Sequence, residues 1–218
     1  MPRGFGAVWL TAGLLALGGY SVAAGQGAAS QRLLPYDPRS PISGRLRNDD
    51  AIVVVDRHWD VVDLELGSRP IEATIAYVQA VSDVAAIVDV NDVSGILVEN
   101  GAWIQTHIIG RVRRVLSSST HASPLRRGGN ITVIFEGGEV HLGMTLVRAG
   151  DVVAMQSRQQ YLMFLIQNNG TYQASVTPML VRDGRVLNVN PKDEGAAKLD
   201  GMALSTIQRV IRLDTRDP

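Results

Sequence analysis

Apolar and polar residues alternate along much of the chain, and this alternation predicts a protein made mainly of β-strands. The clearest case runs from Val84 to Asn91, where one set of alternate residues is apolar and would face a core. Turn signals separate further short apolar runs: Asn100-Gly101, Asn168-Asn169-Gly170 and Asp183-Gly184. Five to eight short strands separated in this way predict a small barrel or a sandwich.

The longest strand is predicted over residues 103–116, after the first of these turns. Strict alternation places Arg114 on the same side as Val112, and Arg113 on the opposite side. Because so long a strand rarely stays regular, we expect it to bend or bulge at Gly110.

Later segments extend the β pattern. Gly137 and Gly138 predict the turn of a hairpin, and the short segment at 145–147 predicts an edge or corner after it. Residues 161–166 are apolar throughout, as expected for a strand buried on both faces.

Two amphipathic segments predict helices on either side of the strands. Ser68 would cap the first helix, in which Ile71, Ile75 and Val78 recur at helical spacing. The second helix is predicted to start at Asp200, and its apolar stripe would pack on the barrel: Leu204, Ile207, Val210 and Ile211.

The beginning of the chain has the pattern of a secretory signal. Arg3 precedes an uncharged, largely apolar stretch, and Val22-Ala23-Ala24-Gly25 provides the small residues that a signal peptidase requires. Residues 1–24 are therefore predicted to be a cleaved signal peptide, with a retained membrane anchor as the alternative. Cleavage would leave no membrane span and would place the protein in the periplasm or outside the cell.

Composition suggests how the remaining chain is divided. Residues 25–50 are rich in Gly, Ser, Pro and Arg and predict a flexible linker, followed by a single domain at 51–213 and a tail at 214–218. The 218 residues contain 21 basic and 21 acidic side chains, so composition gives no indication of a specific nucleic-acid binder. Cys is absent, which excludes disulfides, thiolate metal sites and a cysteine nucleophile.

The order of elements within residues 68–116 resembles a group of exported bacterial proteins of unassigned function with an OB-like barrel. An amphipathic helix, Ser82-Asp83, a Val-rich strand, a hairpin and a long strand containing Thr106 follow one another. The pattern is similar to that of netrin modules and metalloprotease-inhibitor domains, and later motifs extend the resemblance to residue 189. It implies a five-stranded barrel.

The activity of the animal inhibitors does not carry over with this resemblance. Those proteins chelate a protease's zinc through an N-terminal cysteine, and this chain has no cysteine. A barrel face remains available for binding, but fold alone assigns no ligand.

The most distinctive candidate binding feature is a concentration of positive charge at the end of the long strand and in the loop beyond it: Arg111, Arg113, Arg114, Arg126 and Arg127. These residues could attract an anionic polymer or dock a protein partner, and the alternative is that they serve solubility and protect a strand edge. Trp103 is a further candidate, because an indole face can stack on carbohydrate.

Catalytic motifs are scarce. The sequence predicts no cofactor and no metal site, since no two of the four histidines have helical ligand spacing. Glu139 and His141 share one strand face, so they could act in a metal-dependent or acid–base hydrolase, with His107 as a third group.

Three functions remain open from the sequence. The first is a noncatalytic exported β-barrel module that binds an unknown protein or anionic polymer of the cell envelope. The alternatives are the hydrolase and an envelope scaffold protein that docks through its arginine-rich edge.

The signal prediction can be tested directly. When the full chain with a C-terminal tag is expressed in a bacterial host, we expect the mature protein in the periplasm or medium, beginning at Gly25. N-terminal sequencing and cell fractionation measure this, and an uncleaved, cytosolic product would contradict it.

Overall fold

A computed structural model describes residues 31–57, 70–119, 124–150, 152–190 and 193–214. Three helices lie in this part of the chain: α1 (Ile71–Ala80), α2 (Glu194–Leu199) and α3 (Leu204–Asp214). The described part of the chain also contains eleven strands: β1 (Gln31–Pro35), β2 (Ile52–Asp56), β3 (Val84–Val98), β4 (Trp103–Ser118), β5 (Asn130–Glu136), β6 (Gly138–Leu142), β7 (Thr145–Ala149), β8 (Gln160–Asn168), β9 (Thr171–Ala174), β10 (Met179–Arg182) and β11 (Arg185–Leu187). The predicted β-rich class is confirmed, with more strands than the sequence indicated.

A seven-stranded sheet in the order β11-β10-β8-β3-β4-β5-β9 forms the larger part of the fold. It curls on itself because β9 pairs with β5 in parallel and with β8 in antiparallel orientation. Two residue pairs join β5 to β9, so the resulting OB-like arrangement is barrel-like but not fully closed at that seam. The predicted fold class is therefore confirmed: in the chain, one helix precedes the strands of the OB-like barrel and two helices follow them.

Strand β8 shows why both faces of the central sheet are apolar. Tyr161, Met163 and Leu165 face the barrel interior, whereas Leu162 and Phe164 face the layer of helices. All five are at most 1% exposed, which confirms burial on both faces for residues 161–165, whereas Ile166 is 38% exposed.

The helices cover the outer face of that sheet. Ile75 and Val78 of α1 and Ile207 and Ile211 of α3 meet in one buried cluster. The apolar stripe of the last helix is thus confirmed, but Asp200 ends α2 and α3 begins at Leu204. The proposed cap Ser68 lies outside the described residues.

A four-stranded sheet in the order β1-β2-β7-β6 packs at the far end of β3 and β4. In this sheet β1 and β7 both run parallel to β2. The sequence did not predict this sheet, because its central pairing joins strands about 90 residues apart in the chain.

The described part of the predicted linker, residues 31–50, is ordered against this sheet. It contains β1 and a 3₁₀ turn at Ile42–Arg45, and Leu34 and Ile42 are buried with Trp103. The side chain of Asp50 accepts hydrogen bonds from Arg32, at 2.8 and 2.6 Å, and this contact holds the pKa of Asp50 below its usual value. Composition predicted a flexible linker here, whereas pairing with the distant β2 makes residues 31–35 a strand.

The Gly137-Gly138 turn is also different from the prediction. Strand β5 does not form a hairpin with β6; instead the chain leaves the barrel at this point and β6 pairs with β7 in the other sheet. Gly138 has φ +143°, and an added Cβ would lie 2.3 Å from Oγ1 of Thr106. The glycine is needed because the crossing strand passes directly over β4.

Gly95 allows the two sheets to approach each other. A Cβ at this position would lie 2.0 Å from the carbonyl oxygen of Glu139 and 3.0 Å from Cγ1 of Val140, both in β6. We expect Gly95→Ala to lower the free energy of unfolding by about 1–3 kcal/mol, because β6 must move away from β3.

Urea denaturation measures this loss. Gly44→Ala is the matched control, since a Cβ there meets nothing within 4 Å. Equal stability of the two variants would contradict the proposed close approach of the sheets.

Candidate basic groove

A β-bulge in β4 places two consecutive arginines at the candidate site. Val112 pairs with Val88 and Arg114 pairs with Ile87, so Arg113 is the additional residue in the ladder. The bulge reverses the alternation: Val112 and Val115 both contact the barrel core, whereas Arg114 lies on the outer side. The predicted placement of Arg114 with Val112 is therefore wrong.

The irregularity predicted at Gly110 is present, but the additional residue belongs to the partner strand. Val90 pairs with Gly110 and Asp92 pairs with Ile109, which leaves Asn91 without a partner in the register. Gly110 itself lies against β3, since an added Cβ would be 2.5 Å from Cγ1 of Val88.

The third arginine comes from the loop before β5, which is held against β4 by backbone hydrogen bonds. Gly128 N donates to Val112 O at 2.7 Å, and Val112 N donates to Gly129 O at 2.9 Å. Arg111 reinforces the contact, because its Nε donates to Gly128 O at 2.7 Å. Arg127, the residue before this anchored glycine, is thereby positioned beside the bulge.

Together these elements line a groove of about 480 Å³, which we call the basic groove. Its floor and walls come from β3, β4, β8, α3 and the loop before β5, through Ile87, Arg113, Arg114, Arg127, Gln160, Leu204 and Gln208. Its size lies within the range of about 300–1,000 Å³ that is usual for small-ligand sites.

The groove forms where the helical layer stops covering the sheet. Along one face of β3, Ala85 is 1% exposed, Ile87 is 5% exposed and the side chain of Asp89 is 38% exposed. Leu204 and Gln208, four residues apart near the start of α3, flank this opening. The surface is therefore concave: the uncovered part of the sheet forms its floor and the start of α3 forms one wall.

Positive charge in the groove is only partly neutralised. Nη1 of Arg113 lies 3.6 Å from Oδ2 of Asp89, in an exposed pair that contributes little to stability. Among the described residues, the side chains of Arg114 and Arg127 form neither a hydrogen bond nor an ion pair. Their guanidinium groups remain available to an anion.

The predicted arginine set thus divides into three roles. Arg113, Arg114 and Arg127 line the groove. Arg111 positions the loop, and Arg126, which is exposed, does not line the groove. The sequence did not indicate Gln160 or Gln208 as site residues, because they come from distant segments without a recognisable motif.

Trp103 is buried and belongs to the packing between the two sheets. It is 1% exposed, its Nε1 donates to Oε2 of Glu136 at 3.1 Å, and its ring meets Tyr36 edge-on at 5.8 Å between centroids. The guanidinium of Arg57 lies over both rings, 4.4 Å from the Tyr36 centroid and 5.4 Å from that of Trp103. The prediction that the indole stacks on a carbohydrate is therefore wrong.

The candidate hydrolase residues do not converge. Glu139 pairs with Arg148 at 3.1 Å on the second sheet. His107 pairs with Ser94 and Ile134 in the seven-stranded sheet. His141 lies with Glu139 on β6 of the other sheet. No group of three or more His, Asp or Glu side chains in the described residues could hold a metal ion.

Neither the protein-family models nor the curated proteins compared with this chain match it. No helix in the described part of the chain has the length and apolar character needed to cross a membrane.

The structural role of Trp103 can be tested by Trp103→Phe, which removes the indole N–H from Glu136. We expect this lost hydrogen bond to lower the free energy of unfolding by about 1–3 kcal/mol. The loss stays within this range because Gln105 still donates to the same carboxylate at 2.8 Å. Chemical denaturation measures this loss. Unchanged stability together with weakened carbohydrate binding would contradict this structural role and would support stacking of the Trp103 indole on a carbohydrate.

Proposed function

We propose that the protein is a noncatalytic, exported binding module that holds an anionic polymer of the cell envelope in the basic groove. The supporting observation is the convergence of Arg113, Arg114 and Arg127 on one concave surface, with two of these guanidinium groups unpaired among the described residues. Export is inferred from the signal pattern at residues 1–24.

The chemistry of the guanidinium group favours an anionic ligand. Each group is permanently charged and presents a planar set of donors that matches carboxylate and phosphate oxygens. Because the groove is open to solvent, binding should weaken as salt rises. A polymer with several anionic groups would compensate by contacting more than one arginine at once.

Two features distinguish this proposal from the alternatives. Among the described residues that line the groove there is no aromatic ring, whereas single-stranded nucleic-acid sites use aromatic rings to stack bases. Glu139 and His141 lie on β6, outside the groove, so they provide no reacting group for a ligand bound there.

The double variant Arg114→Gln, Arg127→Gln tests the proposal. We expect it to weaken binding of polygalacturonate, a polymer of carboxylate-bearing sugars, by at least about tenfold at 50–150 mM salt, because two charge-assisted contacts are lost. Isothermal calorimetry on the mature chain measures the affinity, and circular dichroism checks the fold.

Arg39→Gln is the matched control, since this exposed arginine belongs to the segment packed beside the second sheet. Equal binding by the double variant and the control would overturn the basic groove as the site. If no anionic polymer bound and the double variant instead lost one defined acidic envelope protein, the scaffold function would replace this proposal.

A further inference from the structure

We infer that the ligand of the basic groove is an acidic saccharide, a hydroxyl-bearing chain that carries anionic groups. This inference rests on the function proposed above and adds to it the two glutamines of the groove, Gln160 and Gln208. It identifies them as the residues that distinguish a saccharide from other polyanions.

The two amides approach the groove from different elements. Gln160 begins β8 and pairs in register with Asp89 of β3. Gln208 lies in α3, one turn after Leu204. The groove therefore has an amide on its sheet side and another on its helix side, with the arginines of β4 and the loop completing the lining.

Both amides have free hydrogen-bonding capacity. Among the described residues, neither Gln160 nor Gln208 forms a side-chain hydrogen bond, and both are half-buried. Each amide carries two N–H donors and one carbonyl acceptor. A bound ligand that shields them from water must therefore supply both acceptors and donors.

This requirement discriminates between classes of anion. Ionised carboxylate, sulfate and phosphate groups accept hydrogen bonds only, so a simple polyanion would leave both amide carbonyls without a donor. A hydroxyl group donates and accepts, and sugars carry several hydroxyls beside an acidic group. Buried polar groups without partners reduce affinity, which gives the saccharide an advantage.

The apolar part of the lining is consistent with the same ligand. Ile87 and Leu204 offer small aliphatic surfaces, against which the C–H face of a sugar ring can pack. The described lining residues are three cations, two amides and two aliphatic side chains, which together match the acidic groups, hydroxyls and ring faces of an acidic saccharide.

The test compares four probes by calorimetry on the mature chain: an oligogalacturonate, a polyacrylate with the same number of carboxylates and no hydroxyls, a neutral dextran, and an oligothymidylate. We expect the oligogalacturonate to bind best. Polyacrylate should bind more weakly through charge alone, and dextran should not bind.

The decisive variants are Gln160→Leu and Gln208→Leu. Each should weaken oligogalacturonate binding by roughly fivefold, which corresponds to one lost hydrogen bond, and should leave polyacrylate binding unchanged. Unchanged polyacrylate binding also shows that the variant keeps its folded groove. Gln31→Leu, an exposed glutamine in β1 of the second sheet, is the matched control.

The outcomes separate this inference from the proposed function. If the arginine double variant weakens both polyanions but the glutamine variants affect neither, or affect both equally, the basic groove remains and the saccharide inference fails. Oligothymidylate binding as tight as oligogalacturonate binding would also overturn the inference. If the arginine variant affects no probe, the proposed function itself fails.

Discussion

The antiparallel ribbon of β3 and β4 supplies apolar side chains to all three buried clusters, and the rest of the structure depends on this shared use. Val88 and Ile108 face the barrel interior, Ala85 lies under the helices, and Trp103 and Ile104 meet the second sheet. A regular two-residue period can serve two faces but cannot redirect side chains along a long strand. Three register irregularities between the paired strands provide those changes of direction.

The candidate site results from one of these irregularities. The bulge at Arg113 brings consecutive arginines beside the groove, while Val112 and Val115 still pack in the core. Like charges placed together disfavour folding slightly, although solvent and salt screen this cost at an open surface. Uncompensated charge is therefore tolerated where the sheet emerges from the helical layer, and it stays available for a ligand.

Local signals in the sequence were sufficient for elements formed by neighbouring residues. The turns at Asn100 and Gly170 join strands that pair directly, and the uninterrupted apolar run at 161–166 indicated a strand covered on both sides. Local signals did not predict strands whose pairing partners lie far away in the chain. Residues 31–35 look irregular alone, and they become a strand because β2 offers a parallel partner and Asp50 binds Arg32.

The sequence by itself determined the β-rich class, the flanking helices and a concentration of arginines near the end of β4, because periodicity, turn chemistry and charge act over short chain distances. Periodicity left a barrel and a sandwich open, and the OB-like barrel was expected only from the family resemblance. Only the tertiary structure decided which arginines line a groove, that two glutamines join them, and that Trp103 is enclosed between sheets. A one-residue bulge reverses every side chain after it, and long-range pairing depends on the whole fold, so neither can be determined from local sequence alone.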